Sequence, residues 1–459
     1  MCDDATMMAD DDVGSVTDNP GGAMPGVTVT VDVVPRLNIA FHQNGVPVLG
    51  AIELRNTSEM DISDLTVTVT SDPSFLTVTP FPIDRLRAGE ARTIPSVVAT
   101  LDPGIFLRLT EAMRASVTCT VTILGQEVGR AVSPCELLAP AEWTGMRHSP
   151  ELLAAFVCPN DPAVDVILRN TAEKLRTAHR DPALAGYGPG GRARVLECAE
   201  ALWGALWDEQ IAYALPPASF EREGQKVRLP AAVVGNKVGT CLDLTLLYAA
   251  CLEQMGFHPL VVLLEGHALV GVWLEPTDIV TTTVDEPQLL RKRIALDELR
   301  LIETTMLAVR SSGQAPVTFL EATIQGGSSV RVDAPQGFEV ALDIHRARIR
   351  RIRPLSLAGP AVAVDGPVVE AGPAYSLGDR AEVADRMAIG EGDAERPAGR
   401  LERWKRRLLD LSMRNKLLNF KPGKGTVELL CPDAGALEDR LASGATLRLL
   451  PDPAPSSRR

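Results

Sequence analysis

The sequence predicts a multidomain fold: an all-β sandwich, then an α+β domain, then a linker and a short helical C-terminal segment. Three observations carry this expectation. Residues 26–140 alternate β-branched and polar positions between Asn, Asp, Pro and Gly turns, the period-two pattern of half-buried strands. Residues 141–354 begin with apolar positions at helical spacing and pass into short apolar runs. Helices followed by an antiparallel sheet is an α+β order. Residues 355–398 are rich in Pro, Gly, Ala and acids, the composition of a linker.

In chain order, residues 1–25 hold Asp3, Asp4, Asp10, Asp11, Asp12 and Asp18 with no Lys or Arg, and are expected to be disordered. Strands are expected at Val27–Val31, Gly50–Leu54, Leu65–Thr70 and Ala115–Thr122, separated by turns at Arg55–Ser58 and Leu86–Glu90. Together they read as an immunoglobulin-like sandwich serving as a binding or spacer module. Helical text starts near Glu142 and continues through Pro150–Val157, Asp161–Ala178, Arg192–Gln210 and Leu242–Met255, the last closed by Gly256. Strands follow at Leu260–Leu264, His267–Leu274, Leu299–Val309 and Phe338–Ile344, with a helix at Pro287–Leu296 among them.

At 459 residues and 45% hydrophobic, the chain has material for two or three domains. A net charge of −13 makes the whole a poor nucleic-acid binder. No apolar run approaches bilayer length, and Met1-Cys2-Asp3-Asp4 lacks the basic start of a signal peptide, so no membrane contact is expected. Eight cysteines without a Cys-x-x-Cys pair argue against a disulfide framework or a zinc site. A reducing cytoplasm is expected, with no metal and no cofactor.

The chemistry concentrates at Gly239-Thr240-Cys241-Leu242-Asp243. Thr240 is placed to N-cap the helix with Asp243 as reciprocal partner. Cys241 then falls in the first turn, where free amides and the helix dipole favour a thiolate. His267, in Gly266-His267-Ala268, is the natural base and later proton donor. Glu303 stands among apolar neighbours in Leu299–Leu307, an expensive place for an unpaired carboxylate. That makes Glu303 the expected orienter of the imidazole, with Asp278 and Asp285 as competitors. Gln225 and Asn236 lie upstream, where an amide donor to an oxyanion would come from. Cys119, Cys135, Cys158, Cys198, Cys251 and Cys431 are expected to be small buried hydrophobes.

These residues resemble the transglutaminase-like, papain-fold superfamily, whose order is Cys on a helix, His on a strand and Asp on the next strand. The resemblance implies a papain-like domain over 141–354 and a Cys241–His267–Glu303 triad, with Glu where the family has Asp. Pro216–Glu221, Gly224–Arg228 and the Cys241 region also resemble the N-terminal part of large bacterial helicase-related proteins. In those, a region of uncharacterised function precedes a superfamily-1 helicase. Trp404–Phe420 is similar to the opening of that region, through Leu-Leu-Asp-Leu-Ser followed by Arg-Asn-Lys-Leu-Leu-Asn-Phe. No Gly-x-x-x-x-Gly-Lys-Ser/Thr run occurs. The resemblance therefore implies a truncated relative, or a helicase polypeptide as partner.

Two basic stretches complete the reading. Arg346, Arg348, Arg350, Arg351 and Arg353 close the α+β domain. Residues 396–424 hold ten Lys or Arg against Glu402 and Asp410, and Leu408, Leu409, Leu411, Leu417 and Leu418 make that segment (399–459 overall) amphipathic. Arg403, Lys405, Arg406, Arg407, Arg414 and Lys416 are candidate DNA contacts, the alternative being a solvated face or a docking helix. Two functions follow from different classes. One is a cysteine-dependent protease or amidase acting on a protein or peptide, with hydrolysis preferred because nothing marks an amine-acceptor site. The other is a non-catalytic adaptor that recognises a partner for a DNA helicase.

Overall fold

The computed structural model describes residues 26–357 apart from 96, 309–314, 332, 333 and 335, together with Leu377. The acidic residues 1–25, the expected linker beyond residue 357 apart from Leu377, and the segment 399–459 lie outside the described residues. With them go Cys2, Cys431, Arg403, Lys405, Arg406, Arg407, Arg414 and Lys416.

The described chain is a mixed α/β protein. Val27–Val33, Leu49–Asn56 and Ala91–Ile94 form one antiparallel sheet in that order. A second sheet runs Arg36–Leu37, Gln126–Leu137, Met113–Ile123, Ile62–Asp72, Phe81–Leu86, with only its first strand parallel to its neighbour. Period-two alternation buries Val27, Val29 and Val31 in one core with Leu65, Val67, Val69, Val117, Cys119 and Val121, while the threonines between them face outward or lie at the edge of burial. Two short helices, Ile39–Asn44 and Pro103–Arg108, interrupt what the sequence reading took as purely β. Each is started by a side-chain cap: Asn38 accepts from the Ala40 amide, and Asp102 from Gly104 with Pro103 at the first position.

The expected helical start near Glu142 is instead a strand, Glu142–Trp143, antiparallel to Gln225–Lys226. The helices Pro162–Thr177, capped by Asp161, and Gly191–Asp208 follow. Cys241–Gln254 is buried at every position from Cys241 to Leu252, which explains its unbroken apolar text. It lies on a five-stranded antiparallel sheet ordered Thr283–Val284, Phe338–Asp343, Pro259–Leu264, His267–Trp273, Leu299–Ile302. Val261, Leu263, Ala268, Val270 and Val272 share a core with that helix. Leu260, Val262, Leu264, Leu269 and Trp273 face the other way, against Leu290 of the helix Pro287–Ala295. Both faces are covered, so these strands read as continuous apolar runs.

The strand expected over Leu299–Val309 ends at Ile302. Glu303 leaves the sheet and caps a 3-10 turn, Thr304–Leu307, by accepting from the Thr305 amide. Phe319–Ser328 is a helix the sequence reading did not contain, opened by a Thr318/Glu321 capping box.

Candidate functional site

The helix start is built as its sequence suggests. Thr240 accepts from Asp243 N at 3.2 Å, and the Asp243 carboxylate accepts from Thr240 N at 2.9 Å. Arg228 locks Asp243 further, through its backbone N at 2.8 Å and its guanidinium at 2.9 Å. Cys241 is thereby fixed as the first helical residue, and it is 0% exposed.

His267 opens its strand after a two-residue turn in which Gly266 adopts φ 66°, a conformation glycine accepts without strain. Its Nε2 faces Glu303 Oε2 at 2.7 Å, and the Cys241 side chain lies close enough to the ring to bias its charge. Glu303 is held in turn: its other oxygen accepts from Thr305 N at 3.0 Å and Thr305 Oγ1 at 2.6 Å, and its own amide donates to Ala322 O at 3.1 Å. Thr245 on the cysteine helix meets Thr304 at 3.1 Å, tying the helix to the turn that carries Glu303. Sequence reasoning placed Cys241, His267 and Glu303 in one centre, and the fold brings these three side chains together.

Burial works against a charged His267, but the hydrogen bonds and charges of Cys241 and Glu303 outweigh it and raise the imidazole from 6.5 to about 10. Burial likewise favours a neutral Glu303, yet His267 first and Thr305 second hold its carboxyl below the usual range. Both shifts run the same way, each favouring the charged form of its group in the presence of the other. Elsewhere, burial pushes Cys119, Cys135 and Cys198 up to about 11 and Cys158 to about 12, and it raises Cys251 as well.

The two amide candidates part company. Gln225 is buried and its Nε2 reaches Thr240 Oγ1 at 3.4 Å, beside the thiol's own residue. Asn236 stands exposed at the end of the helix Pro230–Asn236. Asp278, a competitor for the orienting role, faces His345 instead. Sequence reasoning missed Thr305, Ala322 and Glu221, whose Oε2 accepts from Gly266 N at 3.2 Å. Of the first basic stretch, Arg348 is taken up by Glu253 and backbone carbonyls and Arg346 donates to Ile279 O, while Arg350, Arg351 and Arg353 are exposed. Among the described residues no group of three or more His, Cys, Asp or Glu is arranged to hold a metal ion, and no helix is long and apolar enough to cross a membrane.

Residues 407–459 match a family described as a protein of unknown function, DUF4011. The match begins inside Trp404–Phe420, the stretch whose sequence first suggested such a region. No curated protein matches the chain.

Proposed function

We propose that the chain is a cysteine-dependent amidase or protease of the transglutaminase-like, papain-fold kind. One observation carries the reading: His267 lies between a thiol and a carboxylate that themselves stand on separate, mutually braced elements. In the reaction, Cys241 Sγ, its proton carried by His267, attacks an amide carbonyl carbon, and the tetrahedral oxyanion is met by the Gln225 amide in preference to Asn236. His267 gives its proton to the departing amine and the C–N bond breaks, leaving a thioester. Water, losing one proton to His267, then cleaves the thioester to a carboxylic acid and releases Cys241 Sγ, so that the proton again rests on His267 for the next turnover. Glu303 keeps the ring oriented and stabilises its charged form. Substrates are proteins or peptides, and no cofactor enters.

The surrounding regions support the same reading. The paired sheets of residues 27–137 suit an immunoglobulin-like module for recognising a partner. The DUF4011 match suits association with a helicase polypeptide, with Arg403, Lys405, Arg406, Arg407, Arg414 and Lys416 as its DNA contacts. The six described cysteines are free thiols, which suits the cytoplasm.

One observation favours a second reading, a non-catalytic adaptor for a helicase: the thiol has no exposed surface. Incubation of the full chain with an electrophilic peptide amide, followed by peptide mapping, separates the two. Modification of Cys241 ahead of the other five described cysteines, lost in His267→Ala, is the result expected of an enzyme. Modification of another of those thiols first gives the adaptor its place.

A further inference from the structure

Residues 220–228 touch the chain next to both halves of the thiol–imidazole pair. Glu221, 2% exposed, accepts from the Gly266 amide immediately before His267. Gln225 reaches Thr240 immediately before Cys241, and Arg228 holds Asp243, the other half of the capping box. The hairpin turn at Glu265-Gly266 is where the ladder between the two strands ends, so a tether there governs where His267 sits.

The same segment is gripped from the other side by the two-sheet region and its exit. Arg36 donates to the carbonyl of Glu223 and to Glu136 at 3.0 Å, and faces Glu142 at 3.5 Å. Met146 N donates to Glu221 O at 2.9 Å, and Val227 N to Ala141 O at 2.7 Å. Gly145 and Gly224, both at φ 81°, cross so closely that a Cβ on either would collide with backbone of the opposing segment.

We propose that residues 220–228 are a bracket through which the two-sheet region sets the geometry of the Cys241–His267 pair, with Glu221 a positioning residue for His267. The inference rests on the thiol centre proposed above. Glu221 reaches the ring only through the Gly266 amide, whereas Cys241 and Glu303 face it directly. A buried carboxylate that accepts from a backbone N–H is a costly way to fill space, and its position is its use.

The test follows the His267 ring through a pH titration by NMR, in the full chain labelled at histidine Cε1, with thermal unfolding as a check on the fold. Glu221→Ala is expected to lower the His267 midpoint by about a unit or more, a tenfold change in the proton equilibrium. Glu221→Gln restores it, since the amide oxygen still accepts from Gly266. Arg36→Met moves it the same way by less, although Arg36 touches neither catalytic side chain. A folded Glu221→Ala protein with an unmoved midpoint overturns the bracket, as does a Gln variant that behaves like Ala, which would mark a charge effect. Should Glu221→Ala not fold, Arg36→Met decides: an unmoved midpoint there overturns the proposal. Failure of the thiol centre itself shows separately, as a His267 midpoint in the parent chain that Cys241→Ala does not change.

Discussion

Two histidines stand at opposite ends of one five-stranded sheet, both partly buried, and their environments drive them in opposite directions. His267 lies where Leu264 pairs with it, His258 just before Pro259 at the other end of the same hairpin. His267 meets a carboxylate and is raised to about 10. His258 stacks on the ring of His345, with centroids 3.7 Å apart and planes within 7°. Burial lowers His258 first; its contact with Thr277 O at 2.7 Å opposes that, and His345 lowers it again, with Asp343 and Asp278 pulling weakly upward. The lesson is that burial alone does not set the charge state of a histidine. The partner at the ring edge or face decides the sign.

The largest effect that would sharpen this contrast is catalytic. Cys241→Ala should abolish hydrolysis, and His267→Ala should reduce it by about 10⁴-fold or more, as for other residues of a triad that acts as a unit. His258→Phe should leave it unchanged. Steady-state assay of one peptide amide with all three variants is the check, and a loss in His258→Phe would break the comparison. Glu303→Gln should fall between, because an amide holds the ring but does not stabilise its charge.

Next comes stability against pH. A histidine raised in the folded state contributes stability fully present below its unfolded value of 6.5, and lost as pH rises through about 10. Urea unfolding between those limits should show a steady decline in the parent protein and a flatter curve in Glu303→Gln. For His258 the sign reverses. Its folded value is lowered, so the unfolded chain binds the proton better, and stability is lost as pH falls below about 6.5. His258→Phe keeps a flat ring against His345 and should remove that acid-side loss; an unchanged acid limb would show that the stack does not titrate.

The smallest effect lies in the brace at the His267 end. Thr245→Val or Thr304→Val alone strands one buried hydroxyl and should cost about 1–3 kcal/mol, while the double variant recovers most of it. A thermal double-mutant cycle reads the difference.

How much of this was legible beforehand depended on range. The capping box needs residues three apart, and Thr240-Cys241-Leu242-Asp243 displays it in the text. Period-two alternation announced strands at Val27–Val31 and Leu65–Thr70 for the same reason, and they run over Val27–Val33 and Ile62–Asp72. Glu303 was legible as a buried carboxylate wanting a partner, but not as a cap that ends its strand, because that depends on the amide of Thr305 and the carbonyl of Ala322. The helix Phe319–Ser328 was hidden by Gly326 and Gly327, and Gly326 is there because strand Leu299–Ile302 presses against it. Glu142–Trp143 was misread as helical because its pairing partner, Gln225–Lys226, lies some eighty residues on. The residues 220–228 carry no periodicity, and their role exists only in three dimensions.

The concealed sulfur of Cys241 has a kinetic consequence. A nucleophile with no exposed surface meets a reagent only during brief openings of the protein. If reclosing outpaces the chemistry, alkylation stays proportional to reagent concentration, scaled down by the open fraction. If the chemistry outpaces reclosing, the rate reaches a plateau equal to the opening rate itself. Cys241 is then a clock for the breathing of its own helix, and a ligand that speeds the clock announces itself without any product being formed.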